Sequence, residues 1–240
     1  MEQKFYQRFN LFERWQHIIL FSTITLLVLT GFPLRYYDIP FWRWVYSLFG
    51  GLEIARVLHR IFGIIFIVDF IIHVVYVSNK VIQARKQKAS LTNPAFTILP
   101  LGKDFVDLFQ NILYLLHLRK EPPKFGRFSY KEKFDYWAVW WGTLIMLFTG
   151  FIMFFPALAT SFLPGQLIPL SMIAHSYEAL LDVLVIIGWH FYAVHLRVRN
   201  FPMSRIWLDG KISAAELEEE HPLEFETIIK DETQGGKVDG

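Results

Sequence analysis

The sequence predicts an all-α membrane protein in which four helices span the bilayer as one bundle. Hydrophobic residues make up 53% of its 240 residues and charged residues only 19%, against roughly 25% charged residues in a typical soluble domain. The chain also contains four long apolar runs and an internal repeat that divides it into two similar halves. It has no cysteine, which excludes disulfides, thiolate zinc sites, cysteine-ligated iron–sulfur clusters and covalently attached haem.

The apolar runs predict four transmembrane helices. The first run, Trp15 to Leu34, has no aspartate, glutamate, lysine or arginine. The second carries only Asp69 as a charged residue between Ile61 and Ser78, and residues 136–177 contain no charged side chain. Each run reaches the roughly 20 residues that a helix needs to cross about 30 Å of hydrocarbon. The first run lacks a small-residue cleavage site, so we do not expect a removable signal peptide. We expect spans at about residues 15–35, 54–78, 134–156 and 173–198.

The distribution of basic residues predicts that both termini are cytoplasmic. Twenty of the 24 lysines and arginines precede the first span, lie between the second and third spans, or follow the fourth. The remaining four, Arg35, Arg43, Arg56 and Arg60, fall on the opposite side. Loops that stay in the cytoplasm carry this excess of basic residues.

Two segments lie outside the predicted spans. Residues 102–118 suit an interfacial helix packed on lipid or on the inner rim of the bundle, because their apolar side chains share one face. Residues 201–240 follow the membrane domain of residues 1–200 as a soluble cytoplasmic tail, either a docking segment or a frayed one, with a helix start at Ser213-Ala-Ala-Glu216. We expect His117 and His221, outside the spans, to be surface residues.

The repeat relates the two halves of the chain. The segment from Arg8 to Arg14 matches that from Arg127 to Lys133, and the tripeptides that start at Thr30 and Thr149 are both Thr-Gly-Phe. Both matches have the same offset in sequence. Each half therefore predicts a helical hairpin, and the two hairpins together predict one four-helix bundle, an architecture that builds cofactor sites between facing helices.

Each half carries two histidines on its second helix. His59 precedes His73 by about 21 Å of helix, and His175 precedes His190 by about 22 Å. Each of these helices then presents one imidazole near the outer surface and one near the inner surface, where His17 also lies. Facing imidazole pairs suit the axial ligation of haem iron, whereas zinc or copper needs a third or fourth ligand. A single histidine could instead make an ordinary hydrogen bond between helices.

These residues resemble the bacterial di-haem b-type cytochrome subunits of membrane-bound formate dehydrogenases and nickel–iron hydrogenases, with thiosulfate-reductase-like cytochromes b among them. The likeness extends to about Glu226 and is closest to the branch that partners molybdopterin oxidoreductases or multihaem cytochromes c. The segments that carry it are Glu13-Arg-Trp-Gln-His17, Thr30-Gly-Phe-Pro-Leu34, Arg56-Val-Leu-His-Arg60, Arg127-Phe-Ser-Tyr-Lys131, His175-Ser-Tyr-Glu178, Trp189-His-Phe-Tyr192 and Asp209-Gly-Lys-Ile-Ser213.

The resemblance implies two stacked haems b, with His59 and His175 as ligands of the outer one. For the inner haem, the family pattern pairs His190 with His17, whereas the internal repeat pairs it with His73. We prefer His17, which leaves His73 as a quinone contact. The six histidines of the spans and their inner ends would suffice for a third haem.

Further residues are assigned by the same resemblance. Arg14, Arg56 and Arg60 would pair with haem propionates, unless they only extend to the membrane surface. Ser129 stands where the quinone pocket of the family usually presents an asparagine. Asp69 and Asp182 would contact ligand imidazoles, relay protons or join helices by hydrogen bonds.

The implied function is that of a membrane anchor and electron conduit in a respiratory complex of the prokaryotic inner membrane. An extracytoplasmic iron–sulfur, molybdopterin or multihaem cytochrome c subunit would exchange electrons with menaquinone or ubiquinone through the haems. We expect no nucleic-acid partner and no catalytic residues. The only reaction that we expect the chain to support is quinone reduction or quinol oxidation. Two alternatives are a haem b shuttle to a cytoplasmic acceptor without quinone chemistry and a small proton-coupled transporter.

Overall fold

The computed structural model describes residues 4–87, 93, 97–198 and 200–235. This part of the chain is mostly helical, with two short strands. The helices are α1 (Leu11–Arg35), α2 (Pro40–Leu48), α3 (Leu52–Lys86), α4 (Gly102–Leu115), α5 (Tyr130–Phe154), α6 (Pro156–Thr160), α7 (Leu167–Val185), α8 (Ile206–Asp209), α9 (Ala214–Glu220) and α10 (Pro222–Gly235). A π-helical segment, Ile186–Leu196, continues α7, and the strands are β1 (Phe5–Gln7) and β2 (Lys211–Ser213).

Four helices are long and apolar enough to cross a membrane, namely α1, α3, α5 and α7 with its π-helical continuation. This confirms the predicted all-α membrane fold with four spans. Helix α3 extends to Lys86, well past the expected end near residue 78. Its 35 residues measure about 52 Å, so the helix continues beyond the hydrocarbon layer of about 30 Å. A prediction from hydropathy locates only the apolar part of such a helix, because the turns that follow it contain charged residues.

The fourth span differs from a regular α-helix in its second half. It begins at Leu167, and from Ile186 to Leu196 its backbone is π-helical, with hydrogen bonds between residues five apart. His190 and His195 both lie in this segment. The assumption of a constant 100° per residue, which underlies the predicted alignment of His175 and His190, is therefore wrong beyond Ile186.

The chain forms two compact units, which are described separately below. The histidine unit comprises Leu11–Tyr76 and Ala138–Trp207, and the terminal unit comprises Met1–Asn10, Val77–Trp137 and Leu208–Gly240.

In the histidine unit, helices pack through small or polar side chains and expose large apolar ones. Ala55 on α3 and Thr30 on α1 are fully buried. Ile64, Ile71 and Val75 on α3 are each more than half exposed. An aqueous surface rarely carries so many large apolar side chains, so these faces are suited to lipid.

In the terminal unit, β1 pairs antiparallel with β2, with Tyr6 opposite Ile212. Helix α4 begins where the Asp104 carboxylate accepts a hydrogen bond from the Leu101 amide at 2.6 Å. It ends at Leu115, three residues before the expected end. The apolar side chains of α4 are largely exposed, as an interfacial helix requires, and His117 is exposed as predicted.

The C-terminal tail is folded against the N-terminal segment. Helix α9 has the predicted cap, in which the Ser213 hydroxyl accepts a hydrogen bond from the Glu216 amide at 3.3 Å. The prediction that His221 is a surface residue is wrong, because only 5% of it is exposed. Its Nδ1 donates to the Gly126 carbonyl at 2.7 Å, and a carbonyl partner this distant in sequence could not be read from the local pattern.

A buried clasp holds the tail. Arg8 and Arg127 occupy equivalent positions in the repeat, and each guanidinium donates a hydrogen bond to the main-chain carbonyl of the other. Both also bind the carboxylate of Glu224 on α10, at 2.7 Å and 2.5 Å. The side chains of Arg8 and Glu224 are each only 3% exposed. The repeated arginines therefore fix α10 to the start of both copies of the repeat.

Candidate functional site

The first histidine pair of the histidine unit joins α3 and α7. The ring centroids of His59 and His175 are 6.4 Å apart, and the ring planes are inclined at 75°. The rings therefore lie edge to face, at a separation too large for a direct hydrogen bond between imidazoles.

A threonine on α1 orients the first of these imidazoles. Nδ1 of His59 lies 3.1 Å from the hydroxyl oxygen of Thr30. That hydroxyl donates its own proton to the Leu26 carbonyl at 2.7 Å, so toward the ring it can only accept. Nδ1 then carries the proton, and Nε2 keeps its lone pair for a ligand.

The second half of the chain repeats this arrangement. Nδ1 of His175 lies 2.9 Å from the hydroxyl oxygen of Thr149, which donates to the Ile145 carbonyl at 2.6 Å. Both imidazoles are thus held as the same tautomer with Nε2 directed away from the threonine. A partner on the second nitrogen is the usual support of a metal-binding histidine.

A glycine follows each threonine, and the one after Thr30 leaves the space that the His59 ring occupies, whereas a Cβ atom after Thr149 would make only an ordinary contact. A Cβ atom on Gly31 would lie 2.8 Å from Cε1 of His59, closer than side chains allow, and one on Gly150 would lie 3.5 Å from Cε1 of His175. Sequence reasoning found these Thr-Gly pairs as part of the repeat but assigned them no role. The equal spacing of the two pairs was the signal that could have identified them.

The second pair joins α1 to the π-helical segment. The ring centroids of His17 and His190 are 6.3 Å apart, with the ring planes inclined at 44°. The indole of Trp207 lies 6.4 Å from the ring of His17. His17 precedes Thr30 by thirteen residues, or about 20 Å of helix, so the two pairs lie at well-separated levels.

His73 has different neighbours. Its Nδ1 lies 3.2 Å from Oε1 of Gln16, and its ring centroid lies 6.3 Å from that of Trp140. Gln16 is only 7% exposed, and its buried Nε2 has no hydrogen-bond partner. The structure therefore brings His190 together with His17 and places His73 beside Gln16.

Both histidine pairs have the dimensions of a haem site. Two imidazoles that bind one iron from opposite faces would have ring centroids roughly 6 Å apart, since each nitrogen–metal bond is about 2 Å long and the ring centre lies about 1 Å beyond it. Among the residues that the structure describes, no three histidine, aspartate or glutamate side chains cluster as ligands for a metal ion. The pairs fit a haem, which needs two axial ligands from the protein.

The other predicted site residues have the following positions. Arg56 pairs with Glu53 at 2.9 Å within α3, Arg60 stacks its guanidinium 5.0 Å from the ring centroid of Phe154, and Arg14 is half-buried in the first turn of α1. In the terminal unit, Ser129 caps α5, where its hydroxyl donates to Glu132 at 2.8 Å. The roles predicted for these residues stay predictions.

The two aspartates within the spans lie on α3 and α7. Asp69 is only 8% exposed. The carboxylate of Asp182 approaches Gly142, whose added Cβ would lie 2.8 Å from Oδ1. Neither aspartate has a hydrogen bond to a pair histidine among the contacts of the described residues.

Comparison with known proteins gives one consistent result. Residues 8–207 match the family model described as prokaryotic cytochrome b561. The chain is 24% identical over 223 residues to the cytochrome b556(fdo) subunit of formate dehydrogenase from Escherichia coli K12, covering 93% of each chain. It is 22% identical over 229 residues to the cytochrome b556(Fdn) subunit of nitrate-inducible formate dehydrogenase from the same strain, covering 94% of this chain and 91% of the relative.

Proposed function

The chain belongs to the prokaryotic cytochrome b561 family, and from this premise we propose that it is the membrane-anchoring di-haem cytochrome b subunit of a respiratory oxidoreductase complex. Such a subunit carries electrons between an extracytoplasmic redox partner and the quinone pool. Membership implies haem b, and the four apolar helices make the chain a multi-pass protein of the bacterial inner membrane.

Two haems are supported by the nearly equal distance between the ring centroids in the two histidine pairs. The pair His59–His175 and the pair His17–His190 have ring centroids 6.4 Å and 6.3 Å apart. In this proposal the first pair holds the outer haem and the second pair holds the inner haem. The haem iron supplies the one-electron chemistry, and the protein holds the imidazoles in place.

Aromatic side chains pack beside the inner pair. Trp207 packs against His17 and, at 6.4 Å, against Phe21. Aromatic side chains lower the local dielectric, and burial and hydrogen bonds to the ligands are the protein's means of setting a haem potential.

The partners follow from the relatives, which are named as subunits of formate dehydrogenases. We propose that a catalytic partner with an iron–sulfur, molybdopterin or multihaem cytochrome c centre docks on the outer side. Menaquinone or ubiquinone would react near the inner haem, and the cytoplasmic position of both termini belongs to the same proposal.

Optical spectroscopy and quinol reduction test this function together. Protein purified after expression with ample haem should show the Soret band and reduced α-band of haem b, and a quinol should reduce it unless a quinone-site inhibitor is present. A colourless protein would contradict the proposal and favour the transporter. A haem protein that does not react with quinol would favour the shuttle to a cytoplasmic acceptor.

A further inference from the structure

The inner end of the histidine unit contains a polar cluster that haem ligation by His17 and His190 does not use. It consists of Gln16 and Glu13 on α1 with His73 and Tyr76 on α3. Consecutive helix residues point about 100° apart, so Gln16 contacts α3 whereas His17 faces the π-helical segment. We propose that this cluster, which we call the Gln16 site, binds the head group of a quinone. The proposal rests on the function proposed above, because the haem at His17 and His190 exchanges the electrons.

The buried side-chain amide of Gln16 has an unsatisfied hydrogen-bond donor. Its Oε1 lies 3.2 Å from Nδ1 of His73, so this contact fixes the amide and directs Nε2 elsewhere. Nε2 is buried without a hydrogen-bond partner, and the side chain is only 7% exposed. A buried donor without an acceptor costs about 1–3 kcal/mol, and a quinone carbonyl oxygen would supply the acceptor.

Aromatic side chains lie around the cluster, and such surroundings suit a flat ring. Trp140 lies 6.3 Å from the ring of His73 and 4.9 Å from that of Phe70, measured between centroids. Phe12 lies 4.7 Å from Tyr76 and is 43% exposed. Aromatic faces pack against other planar rings, and an exposed Phe12 leaves the cluster open to the lipid in which quinones dissolve.

A hydrogen-bonded tyrosine and glutamate lie one helical turn from Gln16 and His73 and can supply protons. The hydroxyl of Tyr76 donates to Oε1 of Glu13 at 2.9 Å. Glu13 and Tyr76 lie three residues from Gln16 and His73 along their own helices, which is one turn. Since the first turn of α1 is the end predicted to face the cytoplasm, the pair connects the Gln16 site to that side.

Reduction of a quinone at the Gln16 site consumes two electrons and two protons. Two quinone C=O groups become two C–OH groups, with two electrons delivered one at a time from the inner haem and two protons taken from the cytoplasmic water by way of Glu13 and Tyr76. Quinol oxidation reverses every step. Gln16 binds one carbonyl oxygen and does not itself gain or lose a proton.

The experiment measures binding of a quinol analogue, a heptyl-hydroxyquinoline N-oxide, by quenching of its fluorescence in the purified haem protein. We expect Gln16→Leu to weaken binding about ten-fold, the effect of one lost hydrogen bond, while both haems remain bound. The control is Thr25→Val on the same helix, since the Thr25 hydroxyl is exposed and donates only to the Phe21 carbonyl. It should bind the analogue as the natural protein does.

Unchanged binding in Gln16→Leu would overturn the proposal and favour another position, such as that of Ser129. If Gln16→Leu does not retain its haem, the same two measurements, analogue binding and haem content, are made on His73→Leu. Loss of one haem in His73→Leu would also overturn the proposal, because His73 would then be an iron ligand. Natural protein that contains no haem would instead refute the proposed function.

Discussion

The hydroxyl oxygen of Thr30 lies 3.1 Å from Nδ1 of His59 and leaves Nε2 of that imidazole as the nitrogen that can bind a metal. The arrangement recurs between Thr149 and His175 at 2.9 Å. Helices α1 and α5, which occupy equivalent positions in the repeat, thus provide the same support to two imidazoles. This shared role accounts for the presence of a threonine at both positions.

Removing the threonine hydroxyl should change the haem potential without removing the haem. A hydrogen bond from Nδ1 makes the imidazole a stronger donor to ferric iron, so Thr30→Val should raise the potential of the outer haem. One hydrogen bond of 0.5–1.5 kcal/mol corresponds to roughly 20–60 mV for one electron. A redox titration followed at the α-band measures the shift. Thr25→Val is the control, and an unchanged potential in Thr30→Val would refute the role of the hydroxyl.

The glycines next to the threonines should differ in their tolerance of a methyl group. Gly31→Ala places Cβ 2.8 Å from His59, whereas Gly150→Ala places it 3.5 Å from His175. We therefore expect Gly31→Ala to lose the outer haem and Gly150→Ala to keep both haems, as should Gly63→Ala, where nothing lies within 4 Å. Haem per chain in purified protein is the measurement. Equal haem content in Gly31→Ala and Gly63→Ala would contradict the close approach.

Glu224 should be essential to the attachment of the tail. Glu224→Gln leaves Arg8 and Arg127 without their buried counter-charge, and breaking such a pair costs about 3 kcal/mol. Hydrogen exchange of α10 should accelerate accordingly. The matched control is Glu226→Gln, because Glu226 is 48% exposed beside Lys124 and an exposed pair contributes at most about 1 kcal/mol. Similar exchange in both variants would show that the clasp does not hold the tail.

The attachment of the tail should also weaken in acid through His221. Burial lowers the pKa of His221 below its ordinary value of 6.5, Arg8 acts in the same direction, and Glu132 and Glu224 oppose the shift. The unfolded tail then binds a proton more readily than the folded one, so stability is full above about pH 6.5 and falls as the pH is lowered through the folded-state pKa. Thermal unfolding of natural protein and His221→Gln, compared from about pH 5 to 7.5, measures this. The variant should lose the part of the pH dependence that His221 causes, and identical profiles would contradict the assignment.

The sequence allowed prediction of the features that depend on local composition. Four apolar runs identified the four spans, and the absence of cysteine together with the paired histidines indicated haem before any geometry was known. The preference for His17 over His73 beside His190 agrees with the contacts of the two rings, but ligation itself stays a prediction.

The features that escaped prediction depend on contacts between distant segments or on helix geometry. The π-helical segment around His190 has no compositional signal in a run of apolar residues. The burial of His221 depends on Arg8 and on the carbonyl of Gly126, far away in the chain. The match of Arg8 with Arg127 was visible in the repeat, yet their common partner Glu224 lies outside it.

The most direct test of the account is the amount of haem b per chain, measured by the pyridine haemochrome assay on natural protein and on alanine variants of five histidines. We predict two haems in the natural protein and in His73→Ala, and about one in variants of the paired histidines, namely His17→Ala, His59→Ala, His175→Ala and His190→Ala. Loss of haem in His73→Ala with retention in His17→Ala would transfer the inner site to His73. Natural protein without haem would contradict the central claim that two imidazole pairs each hold an iron porphyrin.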